Sequence, residues 1–182
     1  MKENDYRNIT APQQNNKNMI AQYSYQPSDN FHLFLNYVGG KDVTDAKVHQ
    51  YDLVSTIKTS ALFSLGINGT VNKSSYPADA YATGHTWWGG ALYFNLDPAP
   101  WFGLTLREEY FSDKDGIKLH PFDGATGAKV FASTLSANFK VDGFIFIPEF
   151  RFDSGSQELF KKADGTTTKS GGSFLLAAVY SF

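Results

Sequence analysis

At 182 residues with a net charge of -2, the chain suits one folded domain and lacks the basic surplus of a nucleic-acid partner. No cysteine is present, which excludes disulfides, thiolate nucleophiles and cysteine-based metal sites. No apolar run approaches the roughly 18 residues of a helical membrane span, but 16 Phe, 10 Tyr and 3 Trp call for a surface that tolerates rings.

Residues 1–18 are polar and carry no apolar stretch of the secretory type. We expect a disordered N-terminal segment there, or the remnant of a strand (Tyr6 to Thr10 is a poor candidate), followed by one β-domain over 19–182. From Met19 onward the dominant signal is period-two alternation. Met19, Ala21, Tyr23 and Tyr25 share a phase, and Phe31, Leu33, Leu35 and Tyr37 oppose His32 and Asn36. Tyr51, Leu53 and Ile57 oppose Asp52 and Thr56, and Ala61, Phe63, Leu65, Ile67 and Val71 oppose Ser64, Gly66, Asn68 and Thr70. Leu92, Phe94 and Leu96 follow Trp88, and then Phe102, Leu104, Leu106 and Tyr110 oppose Gly103, Thr105, Arg107 and Glu109. Phe131, Leu135, Ala137 and Phe139 oppose Thr134, Ser136, Asn138 and Lys140. Phe144, Phe146, Phe150 and Phe152 oppose Glu149, Arg151 and Asp153, and Phe174, Leu176, Ala178, Tyr180 and Phe182 close the series.

The connections between these segments alternate in length. Pro27 to Asn30, Thr59-Ser60, Asp97 to Pro100 and Val141 to Gly143 are tight and built of turn residues. Gly39 to Lys47, Asn72 to Thr86, Ser112 to Ala128 and Ser154 to Ser170 are long and polar. A transmembrane barrel has short turns at one end and longer loops at the other. The expectation is an all-β, antiparallel up-and-down transmembrane β-barrel with about 8–10 strands in this chain. Nine segments leave an even barrel one strand short, so a C-terminal part of a larger barrel is expected.

Alternation alone also fits a soluble barrel with its apolar phase inside. Three features favour lipid outside. The segments have the length of a tilted span, about 9–11 residues. Rings recur near their ends, at Phe31, Tyr37, Trp101, Tyr110, Phe144, Phe152 and Tyr180, as in the aromatic girdles of membrane barrels. The opposite phase is small as well as polar, whereas a soluble surface would carry more Lys and Glu. Glu108 breaks the pattern by falling in the lipid phase; an interfacial depth or a local bulge would accommodate it.

The inward phase then carries the chemistry. Arg107 and Glu109 share one segment, and Glu149, Arg151 and Asp153 another, with Asp52, Lys140 and His32 as further members. These are the expected pore-lining residues, whose mixed signs predict weak ion selectivity. They equally suit cross-pairing that fills a narrow barrel. Asp113-Lys114-Asp115-Gly116 opens like a calcium loop but lacks its twelfth-position Glu, so a solvated turn is expected. His32, His49, His85 and His120 have no metal-ligand spacing; His49 with Asp52 is the one pair that would suit a barrel-rim hydrolase, without a nucleophile motif beside it. We expect no metal, no cofactor and no enzymatic activity.

The run from Trp101 to Gly116, Trp-Phe-Gly-Leu-Thr-Leu-Arg-Glu-Glu-Tyr-Phe-Ser-Asp-Lys-Asp-Gly, resembles a repeated strand and loop of the OmpL-like β-barrel porins. Phe144 to Asp153, with its Pro-Glu-Phe-Arg-Phe-Asp core, looks like that family's penultimate strand. Ala177 to Phe182 is similar to its terminal strand and to the signal read by the barrel assembly machinery. The resemblance covers about residues 19 to 182. Family members are generally longer, with a signal peptide and more strands, so the chain departs from them at its N-terminus. The resemblance implies a diffusion channel of the bacterial outer membrane, in contact with its lipid, passing small polar solutes and carrying no catalytic residues. Two other readings stay open: a structural or adhesion barrel with a filled lumen, and a soluble ligand-binding barrel. Self-association into a homo-oligomer is a further expectation.

Overall fold

The computed structural model describes residues 17–41, 46–76 and 84–181. Eight long strands follow one another: β1 (Met19–Ser28), β2 (Phe31–Lys41), β3 (Lys47–Lys58), β4 (Phe63–Ser75), β5 (His85–Ala99), β6 (Phe102–Asp113), β7 (Ala128–Val141) and β8 (Phe144–Gly155). Two short strands, β9 (Phe160–Lys161) and β10 (Thr167–Thr168), pair as a small hairpin before the last long strand, β11 (Ser170–Tyr180). The nine long strands form one antiparallel sheet in the order β1-β2-β3-β4-β5-β6-β7-β8-β11, and there is no helix among the described residues.

The turns explain why each strand meets the next. Between β7 and β8, Asp142 and Gly143 both have positive φ, 46° and 80°. That is the two-residue turn whose twist matches the strands it joins, and it suits Asp-Gly. Between β3 and β4, the Ser60 hydroxyl accepts the N–H groups of Leu62 (3.2 Å) and Phe63 (3.1 Å). This local bonding holds Ala61 and Leu62 in the turn, although the alternation places Ala61 in the strand. β5 runs through Asp97-Pro98, with a register shift between Leu96 and Ala99 that absorbs the prolines expected to end it. The polar stretch 154–170 is not wholly irregular, since it contains the β9–β10 hairpin.

Register places side chains with no further assumption. One row crosses eight strands through directly opposed partners: Phe31, Ile57, Leu65, Phe94, Leu106, Leu135, Phe150 and Phe174. Every member is apolar, and Leu106, Leu135, Phe150 and Phe174 are 37% to 65% exposed. The next row, on the other face, reads His32, Thr56, Gly66, Tyr93, Arg107, Thr134, Arg151 and Ser173. A sheet with its greasy face outward and its polar face enclosed is the inverse of a soluble barrel. The four buried hydrophobics of the described residues are all alanines, so no conventional dry core exists.

The sheet curves around its polar face, where a cavity of ≈ 800 Å³ is lined by residues from Val38 on β2 to Arg151 on β8. The sheet is not closed: β1 and β11 are its two ends. Both run in the same direction, as alternate members of an antiparallel series must, so direct pairing between them would be parallel. Antiparallel closure therefore takes an odd number of additional strands. The inner phase near this seam is apolar, with Ile145 and Ile147 opposite Val179 and Ala177.

Candidate functional site

The polar face divides into a charged wall and an amide wall. On the charged wall, β7 contributes only small residues, Ala132 (1% exposed) and Thr134 (1% exposed), between β6 and β8. The longer side chains of the neighbouring strands close over them. Arg151 Nη1 pairs with Glu109 across β7, and its guanidinium also binds Asp153, Nη2 lying 2.9 Å from Oδ1. Arg107 Nε lies 3.2 Å from Glu109 Oε2, off the angle of a hydrogen bond. Both arginines reach the Thr134 hydroxyl at 3.4 Å. Glu149 stands one row nearer the tight turns and accepts from the Ser136 hydroxyl at 2.7 Å.

The amide wall lies on β1 to β4. Gln22 donates to Asn36 (2.7 Å), and Asn36 donates to Asp52 (3.1 Å). The Thr70 hydroxyl donates to the other Asp52 oxygen, and one row along the same strand pair Asn72 donates to Gln50 (3.3 Å). Between the two walls β5 places Gly89, Ala91 and Tyr93 on the cavity. Tyr93 rests over Gly66, where an added Cβ would sit 3.0 Å from the tyrosine Cβ.

The expected site residues are thus separated into two levels. Asp52, Glu109 and Arg151 line one cavity, and Arg107, Glu149 and Asp153 adjoin them on the same face. Lys140 and His32 belong to the tight-turn end. Lys140 Nζ sits 3.1 Å from Asp97, and His32 lines a small cleft that also includes Asp97. Asp97 escaped the sequence reading because it was taken for a turn residue. Lys118 was also missed, since loop residues carry no phase; it lines the cavity at the long-loop end.

His49 and Asp52 differ by an odd number of residues on one strand and face opposite sides; His49 Nδ1 instead lies 2.8 Å from the Tyr37 hydroxyl on the outer face. Glu108 keeps continuous register with Leu92 and Ser133, so no bulge turns it inward. It stays in the outer phase, accepting from the Ser133 hydroxyl at 2.8 Å. Asp113, expected in a solvated turn, is instead fully buried, because its carboxylate accepts the backbone N–H groups of Ile117 (3.1 Å), Lys118 (2.6 Å) and Leu119 (2.8 Å). It serves as the loop's own cap.

An antiparallel meander with an outward apolar face and a concave polar face is the wall pattern of a porin-type β-barrel. The profile of the family described as "Putative beta-barrel porin-2, OmpL-like" matches residues 3–182, and the chain belongs to that family. No curated protein and no solved structure matches the chain. Membership supports a porin-type role and an outer-membrane location.

Proposed function

We propose that the curved sheet is part of the wall of an outer-membrane channel for passive diffusion of small polar solutes and ions. The observation that carries this reading is the pair of adjacent rows described above, one apolar across eight strands and one polar. The proposed pore-lining residues are Asp52, Arg107, Glu109, Lys140, Glu149, Arg151 and Asp153. Arg107 and Arg151 balance Glu109 and Asp153, and Lys140 balances Asp97. Asp52 and Glu149 keep only neutral hydrogen-bond partners. The lumen is therefore weakly cation-preferring, because two carboxylates lack a cation beside them.

One observation favours a filled lumen with a structural or adhesive role. The Arg107–Glu109–Arg151–Asp153 cluster occupies the inner face of three strands with mutually satisfied charges. Planar-bilayer conductance of the full-length protein separates the two. Discrete channels with a modest cation preference support diffusion; a silent bilayer supports the filled barrel. Insertion by the barrel assembly machinery through Phe182, which lies outside the described residues, and assembly into a homo-oligomer remain part of the proposal.

A further inference from the structure

We infer that the solutes this lumen favours are neutral and polyhydroxylated, sugars being the chemical class; the inference rests on the channel reading. The cavity's wall on β3 and β4 presents Gln50, Asp52, Asn68, Thr70 and Asn72. A carboxamide both donates and accepts, and so does a sugar hydroxyl, so each can satisfy the other in pairs. The Asn68 carboxamide makes no side-chain hydrogen bond among the described residues. Asp52 accepts from Asn36 at 3.1 Å, and Asn72 donates to Gln50 at 3.3 Å and accepts from Ser74 at 2.9 Å, which fixes the direction in which their remaining capacity points.

Rings complete the fit. Trp87 and Tyr93 line the same cavity from one strand, with Gly89 and Ala91 between them. Gly66 leaves Tyr93 room to lie along the wall, and Phe111 packs beside Trp87 with ring centroids 5.5 Å apart. The Trp87 indole N–H is itself buried, so the ring rather than its N–H is what Trp87 offers the cavity. Flat apolar rings beside convergent amides suit a molecule with C–H faces and hydroxyl edges.

The charged wall argues against anionic solutes. Both guanidinium groups already face carboxylates, so an anion entering the cavity meets no unpaired arginine. A neutral solute is then met by the amides, hydroxyls and rings, with Asp52 as a further acceptor.

The test uses the full-length chain in planar bilayers, with maltose and a polyethylene glycol of matched hydrodynamic radius added in turn. Maltose should reduce the open-channel current saturably while the polymer does not, and Asn68→Ala/Asn72→Ala should weaken the maltose block by about tenfold. Equal, non-saturating effects of both additives would overturn the inference while leaving a channel in place. A bilayer without channels would remove the channel reading instead. In that case, tryptophan fluorescence of the detergent-solubilised protein decides the inference: maltose should change the emission, and Trp87→Phe should abolish that change. No emission change in the wild type would overturn it.

Discussion

Arg151 on β8 and Glu109 on β6 form an ion pair that passes over β7, a strand made locally of Ala132 and Thr134. The contact is possible because β7 puts nothing larger than a threonine beneath it. Exposure of the two side chains near 30% keeps the pair partly screened, so its strength lies between surface and buried cases.

Glu109→Gln removes the shared carboxylate and leaves Arg107 and Arg151 with Asp153 alone. We expect a loss of about 1–2 kcal/mol in stability, from one unpaired, half-buried guanidinium. The ion preference should move towards anions. Reversal potentials across a salt gradient, with urea unfolding in detergent, measure both.

Ala132→Leu should do comparable damage by volume alone. Ala132 is 1% exposed under the arginine-glutamate layer, and a larger side chain there lifts the pair off the wall. The expected cost is about 1–3 kcal/mol. Ser136→Leu, which removes the hydroxyl bonded to Glu149, is the comparison: a smaller stability change with a larger effect on cation preference, read by the same two assays.

Gly116 has φ 70°, and an added Cβ would stand 1.8 Å from the Thr126 carbonyl oxygen. Gly116→Ala must therefore open the 114–127 loop that carries Lys118 over the cavity. Limited proteolysis should cut within that loop while the strands stay protected.

The Asp164 carboxylate accepts from the Thr166 hydroxyl (2.6 Å) and its backbone N–H (2.9 Å), which holds its pKa below the ordinary 3.8. Because the folded value is the lower one, the bonding stabilises the β9–β10 turn above the ordinary carboxylate range. The benefit is lost as pH falls through the depressed value. A fall in the protection factor of the Thr166 amide on acidification, absent in Asp164→Asn, is the expected outcome.

Most of the sheet was legible in the sequence because period-two phase survives in every long strand. The residues that broke it were misread for identifiable reasons. Ala61 carries a strand phase, but Ser60 ties it into a turn. Asp97-Pro98 signals a turn, yet Pro is tolerated where the register shifts. His49 and Asp52 looked like neighbours only while parity was ignored. Asp97 with Lys140, and Lys118 at the loop end, depend on partners distant in sequence, and alternation carries no information about those.

Leu106 and Leu135 should meet hydrocarbon while Thr105 and Ser136 face the concave polar side. The chain has no cysteine, so a single cysteine at each of these positions can carry a spin label without interference. In lipid vesicles, labels at 106 and 135 should be relaxed by oxygen, and those at 105 and 136 by a water-soluble nickel chelate. The opposite assignment, with the labels at 106 and 135 reached from water and those at 105 and 136 from lipid, would contradict the account.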